Sequence, residues 1–461
     1  MPSLDYSRFD GLDASDSDDE GDAGASGQEL LAELPPELPP ELSLVLAARH
    51  GQRHVVEALL AARASVNAQD PSGATALLRA VEAGAASRPV VELLLARRAD
   101  VAAPGCPNGT ALDRAAVSGP PELCEALLQA GNPSAEARGQ ALLAAAVSGN
   151  AGTTRLLFGA GASVSAVAED GRTALHSWAG RSEVELVGLL LKLRADVGAR
   201  DKAGATPLMH AARAGAVAAV QYLCKQCAGV DEVAKDGCTS IVYAAELSNE
   251  AFAAQIVKVL LEHQARPEPK SPRAHALSPL VAATSIGHRS VALLLLTARA
   301  SADAPDSQGR LPLTCAAMTS NVELCRSLLD CSAGVNARGM SGTVAQGLPP
   351  GEGCGAGSGV GGATALSIAA TSGAVRLAEL LLAARADPEL EDERGARPLM
   401  VAAGRGHLQV AQALLAAGAS ASAQQAASGK TALVLAAGAG HADLCGALVA
   451  ARAAVGTRAA T

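Results

Sequence analysis

Ten cysteines are the side chains in this chain best suited to chemistry, as nucleophiles, redox pairs or metal ligands. Cys224 and Cys227 form a C-x-x-C motif, half of a common zinc site, but no second pair follows at ligand spacing. Cys124, Cys325 and Cys445 each follow a Leu in similar segments, ELCEALL, ELCRSLL and DLCGALV. A thiol that recurs in one register behaves as a small buried apolar residue. We therefore predict structural cysteines, no metal and a reducing compartment.

The histidines and glycines indicate no catalytic site either. None of the nine histidines stands with an acid and a nucleophile in the pattern of a triad. The sequence has no GxxxxGK[ST] phosphate-binding motif and no kinase signature set. The glycine-rich residues 351–362 lack the required Lys and are typical of a linker. We predict a protein that is not an enzyme and binds no cofactor.

Composition restricts the class of protein further. Hydrophobic residues make up 49% of the 461 residues but aromatics only 2%, so the core must be Ala, Leu and Val in closely packed helices. No apolar run approaches the length of a membrane span, and the N-terminus lacks the apolar segment of a secretory signal. We predict no membrane insertion, a monomer, and a location in the cytoplasm, with the nucleus as the alternative.

The net charge of −9 is unevenly distributed. Residues 1–42 hold twelve Asp or Glu and one Arg, a charge of −11, whereas the remainder has 34 acidic and 36 basic residues, a charge of +2. The nearly neutral body gives no electrostatic basis for nucleic-acid binding.

A segment of about 33 residues recurs from about Leu42 to the C-terminus. Its clearest copy, Arg397–Gly429, predicts two short helices, PLMVAAG and LQVAQALLAAG, separated at Gly406, with Gly418 ending the second in a left-handed turn. A helix pair this short cannot bury its own apolar face, so it is stable only when stacked on similar pairs. An atypical first unit begins at Leu42, and eleven further units open at Thr75, Thr110, Gln140, Thr173, Thr206, Thr239, Ser278, Leu311, Thr364, Arg397 and Thr431.

These features resemble ankyrin repeats. The resemblance rests on the period, the T-[AP]-L openings, the Ala-Ala pair, the Gly-His break and the LL-x-x-[GR]-A-[DS]-V ending. It covers residues 42–461 and implies an all-α fold, an α-solenoid of twelve stacked helix pairs with projecting β-hairpin fingers. It also implies that the histidines of the break and opening hold one unit to the next by hydrogen bonds; these are His176, His288, His407 and His441.

Some units depart from the pattern. Trp178 occupies the first Ala of the Ala-Ala pair, so we expect local repacking there, and Ser182 replaces the Gly of the break. Extra residues at 267–277 and a Gly-rich insertion at 339–362 both fall between units. Insertions at such places project as loops without breaking the stack.

The N-terminal residues have a different character. Residues 1–33 are acidic and poor in branched apolar side chains, which predicts a disordered tail, and residues 34–41 predict a Pro-rich spacer. Ser15 and Ser17 each have an acidic residue three positions on, which acid-directed kinases of the casein kinase 2 type favour. Phosphorylation there is one hypothesis, and a simple solvated acidic tail is the alternative. The opening DYSRFDGLDASDSDDE is also similar, over fewer than twenty residues, to the N-terminus of the kinase-loading co-chaperone family.

The ankyrin resemblance implies that partners bind across the concave face, through first-helix positions and finger tips. Guanidinium groups on that face suit carboxylates, which predicts an acidic partner peptide. The tail's charge also predicts that residues 5–22 lie transiently on this face, more firmly when phosphorylated. The predicted partner-binding residues are Arg49, Arg79, Arg114, Arg181, His210, Arg213, Tyr243 and Arg405 on the first helices, and Lys202, Lys235 and Arg394 on the fingers.

The predicted function is a non-catalytic scaffold or adaptor for protein partners of unknown identity. The alternative is a substrate-recognition subunit of a ubiquitin ligase, a role that many ankyrin proteins resemble. Proteins of that class carry a docking box, and none is recognisable after the last unit. Sequence alone cannot name the partner, because one scaffold serves unrelated ligands.

Overall fold

The computed structural model describes residues 39–103, 109–268, 278–339, 362–426 and 428–451. These residues belong to two compact units. The first comprises the chain up to Trp178 together with Glu185–Asp196, and the second comprises Ala179–Val184 and the chain from Val197 onward. The acidic tail, Ser15, Ser17 and most of the spacer and of the Gly-rich insertion lie outside the described residues.

The first compact unit consists of antiparallel helix pairs in two layers. First helices pack on first helices, and second helices pack on second helices. The pairs are α1 (Pro40–Arg49) with α2 (Arg53–Ala61), α3 (Ala76–Glu82) with α4 (Arg88–Ala96), α5 (Ala111–Ser118) with α6 (Pro121–Gly131), and α7 (Ala135–Ser148) with α8 (Ala151–Gly159). A 3-10 turn at Ala85–Ser87 precedes α4. The fifth pair, α9 (Ala174–Gly180) and α10 (Val184–Lys192), is divided between the two units.

The second compact unit repeats this two-layer arrangement. Its pairs are α11 (Pro207–Arg213) with α12 (Val217–Lys225), α13 (Ser240–Ala245) with α14 (Glu250–Glu262), α15 (Pro279–Ile286) with α16 (Arg289–Thr297), α17 (Pro312–Met318) with α18 (Val322–Asp330), α19 (Ala365–Ser372) with α20 (Val375–Ala383), α21 (Pro398–Arg405) with α22 (Leu408–Ala416), and α23 (Ala432–Gly438) with α24 (Ala442–Ala450). The twelve helix pairs predicted from the period are confirmed in the residues that the structure describes.

The recurring opening motif has a local cause. The Thr hydroxyl caps the first helix by accepting the backbone N–H three residues on, as Thr75 does from Leu78 at 3.3 Å and Thr364 from Ser367 at 3.2 Å. Pro follows at the first helical position in α11 and α21, where its missing N–H costs nothing. Where this cap is formed, the opening therefore fixes where the first helix begins.

The core is made of the small and aliphatic residues that the composition predicts. Where a first helix has the Ala-Ala pair, it is generally buried, as at Ala115 and Ala116, so neighbouring first helices can approach closely. Ala437, in the last first helix described, is exposed. Leucines such as Leu94 and Leu127 fill the space between the layers and are fully buried. Burying one such side chain stabilises the fold by roughly 1.5–3 kcal/mol.

Fingers connect most of the pairs, and their tips share one turn geometry. In the first finger, Asp70 N–H bonds Ala74 O at 2.9 Å and Gly73 N–H returns to Asp70 O at 2.8 Å. The same two bonds recur around Asp201, Asp306 and Asp392. Within the described residues the fingers are closed by single antiparallel bridges and not by regular strands; these are Gln69 with Thr75, Val167 with Thr173, Gly339 with Ala363 and Gln424 with Thr431.

Hydrogen bonds between fingers join successive units. A side-chain oxygen of one unit accepts a backbone N–H of the next, for example Asn67 Oδ1 from Asp100 at 2.8 Å and Asp303 Oδ1 from Gly334 at 2.8 Å. The remaining bonds of this kind run from Arg266 N to Asp231, Ser301 N to Glu268, Asp387 N to Asn336 and Ser420 N to Glu389.

The residue after the helix-to-helix break makes a second set of bonds between units. His288 Nε2 donates to Leu247 O at 2.5 Å, and His407 Nε2 donates to Thr371 O at 3.2 Å. The predicted inter-unit role is confirmed for these two histidines. Asn takes the same place in two other units, where Asn150 bonds Gly119 O and Asn321 bonds Gly287 O. His176 differs, because its Nδ1 accepts Thr173 N–H of its own unit at 3.1 Å.

Two places depart from the expected pattern. The connection before the fourth pair is helical and not a finger, because α7 begins at Ala135, capped by Ser134, several residues before the predicted opening at Gln140. The spacer prediction also extends too far, since Pro40 and Glu41 already form the first turn of α1.

The fifth pair accommodates its unusual residues. Trp178 is 1% exposed, so the ring is inside the core, and its indole N–H has no hydrogen-bond partner among the described residues. Ser182 keeps the left-handed conformation of the Gly that it replaces, with φ of 63°. A non-Gly residue at such a φ costs roughly 1 kcal/mol.

The Gly-rich insertion leaves the stacking register unchanged on both sides. Gly339 N–H bonds Ala363 O at 3.2 Å, which closes the base of the insertion. The inter-unit bond from Asp387 N–H to Asn336 Oδ1, at 2.9 Å, spans 51 residues of sequence but matches the bonds between ordinary neighbours. The prediction that this insertion does not break the stack is confirmed for the residues described.

Replacing residues 339–363 with the five residues 70–74 of the first finger should leave the fold intact, because Gly339 and Ala363 make the same backbone bond as Asp70 and Ala74. Shortening a loop about fivefold lowers its closure entropy and should stabilise the chain by about 1 kcal/mol. Thermal unfolding followed by circular dichroism of both chains measures this. A lowered midpoint would show that the insertion contributes contacts to the stack.

Gly406→Ala should destabilise the protein for two reasons. The backbone φ of Gly406 is +78°, which an alanine adopts with strain, and a Cβ at this position would also lie 2.6 Å from Cε1 of His441. We expect an additional loss of about 1 kcal/mol from this overlap. A urea-unfolding cycle with His441→Ala isolates it, since the extra loss should vanish in that background. Gly440→Ala, with φ of +79° and no neighbour within 4 Å, measures the φ cost alone.

Candidate functional site

The exposed side of the first helices, together with the fingers, forms one surface in each compact unit, which we name the first-helix face. Two positions of each helix supply its side chains, four and seven residues after the opening residue; these are the +4 and +7 rows. In the first unit they include Arg79 and Arg114 in the +4 row and Glu82 and Val117 in the +7 row. Side chains spaced by three or four residues share a helix face, so both rows point the same way.

Four charged side chains on the first-helix face of the first unit neutralise one another, whereas Arg49 of the +7 row has no ion pair among the described residues. Arg79 pairs with Asp70 of the finger at 2.7 Å and with Glu82 at 2.8 Å. Glu82 also accepts Arg114 of the next first helix at 3.0 Å. The four side chains form a continuous network from finger to helix to helix. Two of the arginines predicted to bind a partner therefore brace the stack itself.

Asp70 is the best-anchored carboxylate in this network. Burial opposes its ionisation, but hydrogen bonds from Ser72, Arg79 and Ala74 outweigh it and lower the pKa of Asp70 to about 2. The bonds from the backbone N–H groups of Ser72 and Ala74 are 2.9 and 3.0 Å long. This carboxylate therefore holds the finger turn and the adjacent helix in one arrangement.

On the second unit, the same positions carry a histidine and an aromatic residue. His210 Nε2 lies 2.8 Å from Asp201 Oδ2, which repeats the finger-to-helix pairing. Tyr243 donates its hydroxyl to Asp236 at 2.6 Å, and the Arg213 guanidinium lies 5.8 Å from the centre of the Tyr243 ring. A cation over an aromatic face at this distance is an attractive contact.

The Tyr243 cluster is partly withdrawn from water. Burial raises the pKa of the Tyr243 hydroxyl, and the adjacent Asp236 raises it further, so Tyr243 remains a hydrogen-bond donor. Burial also raises the pKa of Glu246. The Tyr243 ring packs against Ala205, Met209 and Ala234. This fixed ring with a cation above it has the composition of an interaction hot spot, which is commonly rich in Tyr and Arg.

Beyond α15 the +4 row becomes apolar. Cys315 is buried, and Ile368, Val401 and Leu435 follow on successive first helices as half-buried side chains. Met318 of the +7 row is 37% exposed beside them. The first-helix face of the second unit therefore runs from the Arg213 and Tyr243 cluster into a single apolar row.

The structure places the predicted partner-binding residues in different environments. Arg79, Arg114, His210 and Tyr243 are half-buried and engaged within the chain, whereas Arg213 is exposed above the Tyr243 ring. The remaining predicted residues are all exposed; these are Arg49, Arg181, Lys202, Lys235, Arg394 and Arg405.

Sequence reasoning missed Ile368, Val401 and Leu435. Its search was for charged and aromatic side chains, so apolar residues of a first helix were assigned to the core. Their signal was present in the register, because each stands four residues after its opening residue, where Arg79 and His210 stand in other units.

The cysteines predicted to be structural are mostly buried. Cys124 and Cys325 are fully buried and Cys445 is half-buried. Burial raises the pKa of Cys124 to about 11, that of Cys325 to about 12 and that of Cys224 to about 11. A thiol with so high a pKa is a poor nucleophile at neutral pH. Cys227 is exposed.

Two observations concern possible metal ligands and membrane-spanning helices in the part of the chain that the structure describes. No three His, Cys, Asp or Glu side chains there are grouped so that they could hold a metal ion. None of the helices described there is long and apolar enough to cross a membrane.

Comparison with known families agrees with the geometry of the pairs and fingers. A family model described as ankyrin repeats (3 copies) matches residues 44–138, 178–271, 243–339 and 355–459. The chain belongs to the ankyrin repeat family. This ankyrin repeat protein is also similar to a solved structure, the crystal structure of human ASB11 ankyrin repeat domain, with 24% identity and a TM-score of 0.43, covering 54% of this chain and 99% of that one. No curated protein matches it.

Ankyrin repeats are protein–protein interaction modules, so family membership implies protein partners. Stacked repeats present extended surfaces for this purpose.

Asp70→Asn should destabilise the protein at pH 7 by about 1–2 kcal/mol, because charge-assisted hydrogen bonds are lost. The folded pKa lies below the unfolded value of about 3.9, so this contribution is complete above pH 4 and is lost as the pH falls towards 2. Thermal midpoints of both chains between pH 7 and pH 2.5 should therefore converge at the acid end.

Asp170→Asn is the matched control, since that finger carboxylate bonds Arg172 but is 46% exposed. A loss of stability equal to that of Asp70→Asn would show that the network from Asp70 to Arg79 adds no stability of its own.

Proposed function

We propose that this protein is a non-catalytic cytoplasmic scaffold that binds an extended segment of a partner protein along the first-helix face of the second unit. The change of the +4 row from polar to apolar between α13 and α19 is the observation that supports this most strongly. Numerous unpaired buried thiols favour the reducing environment of the cytoplasm.

The apolar row sets the chemistry of the partner's main contacts. Ile368, Val401 and Leu435 stand one on each successive first helix. Packed helices lie about 8–10 Å apart, close to the length of three residues of extended chain. A partner segment with single apolar side chains at that interval would meet one +4 residue on each helix.

At the Arg213 and Tyr243 end of the same face, charged side chains determine which charge on the partner is favoured. Asp201 and Asp236 accept hydrogen bonds within the chain, and Glu246 of the +7 row interacts electrostatically with Arg213, but Arg213 makes no ion pair among the described residues. Lys202 and Lys235 add exposed positive charge on adjacent fingers, whose backbones are joined by Lys235 N–H to Ala203 O at 2.9 Å. An acidic group on the partner would therefore be favoured at this end.

Peptides selected from a random phage-displayed library against the full chain test the proposal. We expect selected peptides to combine apolar residues with an acidic group, and Val401→Glu to weaken their binding at least tenfold. The charge would face the apolar contacts without entering the core, since Val401 is half-buried.

Leu293→Glu is the matched control, because Leu293 is 36% exposed on the second helix α16, away from the first-helix face. The affinity of the selected peptides for this variant should remain within twofold of their affinity for the original chain. Selected peptides that tolerate Val401→Glu, or that lose affinity equally with both variants, would contradict the proposal.

A further inference from the structure

The outer turns of the first unit carry a concentration of positive charge that the first-helix face lacks. Helices α2 and α4 with the turns that follow them, residues 53–65 and 88–100, contain five Arg and three Asp or Glu. The next second helix, α6, contains Glu122 and Glu125 and no cation. Helix α8 with its turn, residues 151–163, has one cation, Arg155, and this arginine is paired with Glu185 at 2.7 Å.

Three of these arginines, Arg63, Arg97 and Arg98, form what we name the arginine edge. All three are exposed. Arg97 reaches Glu57 only at 3.9 Å, and neither Arg63 nor Arg98 has an ion pair among the described residues. Because α2 packs against α4, the turns after the two helices lie side by side.

The backbone at the arginine edge is strained in a way that the turn does not require. Arg63 and Arg98 have φ of 68° and 61°, the left-handed region that favours glycine. Gly161 and Gly418 occupy the same position after α8 and α22. An Arg there costs roughly 1 kcal/mol relative to Gly. Arg194, Arg299 and Arg385 have the same conformation in other units, so the strain alone does not distinguish the arginine edge.

The acidic N-terminal residues are the segment of this chain with complementary charge. Asp16, Asp18, Asp19, Glu20 and Asp22 fall within seven residues. The chain enters the described structure at Pro39, directly before α1.

Residue 22 is 17 residues before that point, a span of about 23 Å for a flexible chain and about 50 Å when extended. The first two pairs lie within about 20 Å, since packed helices are 8–10 Å apart. The first-helix face of this unit offers fewer cations, because Arg79 and Arg114 are already neutralised and Arg49 is the one exposed arginine of its two rows without an ion pair among the described residues.

We infer that residues 16–22 dock within the same molecule on the arginine edge of the first two helix pairs. Each exposed pair contributes less than about 1 kcal/mol, so docking needs several contacts at once and weakens with salt. Covalent connection provides an effective concentration of about millimolar, which compensates for weak individual contacts. Phosphate on Ser15 or Ser17 would add charge beside this segment.

A photocrosslinker placed at residue 21 of the full chain tests this. We expect crosslinks to peptides containing residues 59–66 and 94–101, lost at least fivefold in 0.5 M NaCl. Arg63→Gly with Arg98→Gly should reduce them at least fivefold while the thermal midpoint stays level or rises, because glycine relieves the backbone strain.

Arg299→Gly with Arg385→Gly is the matched control. These arginines have φ of 69° and 67° at the same turn position in the second unit, so charge and backbone change equally. The control should leave the crosslinks unchanged. Crosslinks to residues 76–82 or 111–118, crosslinks between differently isotope-labelled chains, or equal losses with both variant pairs would overturn the proposal.

Discussion

Every part of this structure depends on the inability of a short helix pair to bury its own apolar face. Two helices of seven to ten residues, such as α3 and α4, leave one side of each Ala-Ala pair and Leu pair uncovered. Only the next pair covers it, through close contact at residues such as Ala115 and Ala116. The stability of each helix pair therefore depends on the pairs packed against it, and any insertion must fall where it leaves this contact intact. The Gly-rich insertion does so, as the bond from Asp387 to Asn336 shows.

Polar groups join the same pairs and determine which charges are available to partners. The finger carboxylates Asp70 and Asp201 each hold a turn and also bond a first-helix side chain, Arg79 and His210. Arg79 and His210 were expected to bind partners, but both already make polar contacts within the stack. The face is consequently rigid and nearly neutral in the first unit, whereas the second unit keeps Arg213 exposed over Tyr243.

Sequence reasoning succeeded where a feature depends on local spacing. The helix pairs, the Thr caps, the left-handed turn at Gly418 and the inter-unit bonds of His288 and His407 all follow from position within the repeat. It failed where a connection changed type, as in the helical start of α7 at Ala135. It also missed the apolar +4 row, because only charged, aromatic and histidine side chains were considered at a position where the register could have identified Ile368, Val401 and Leu435.

The sequence by itself determined the period, the number of pairs and the boundaries of most helices, because caps and apolar spacing act over a few residues. Tertiary structure alone decided which charges pair. Arg114 and Glu82 are 32 residues apart and meet only because α3 packs on α5. Contacts between units separate free surface charges from those that brace the stack, and such contacts are set by packing distance, which sequence spacing does not measure.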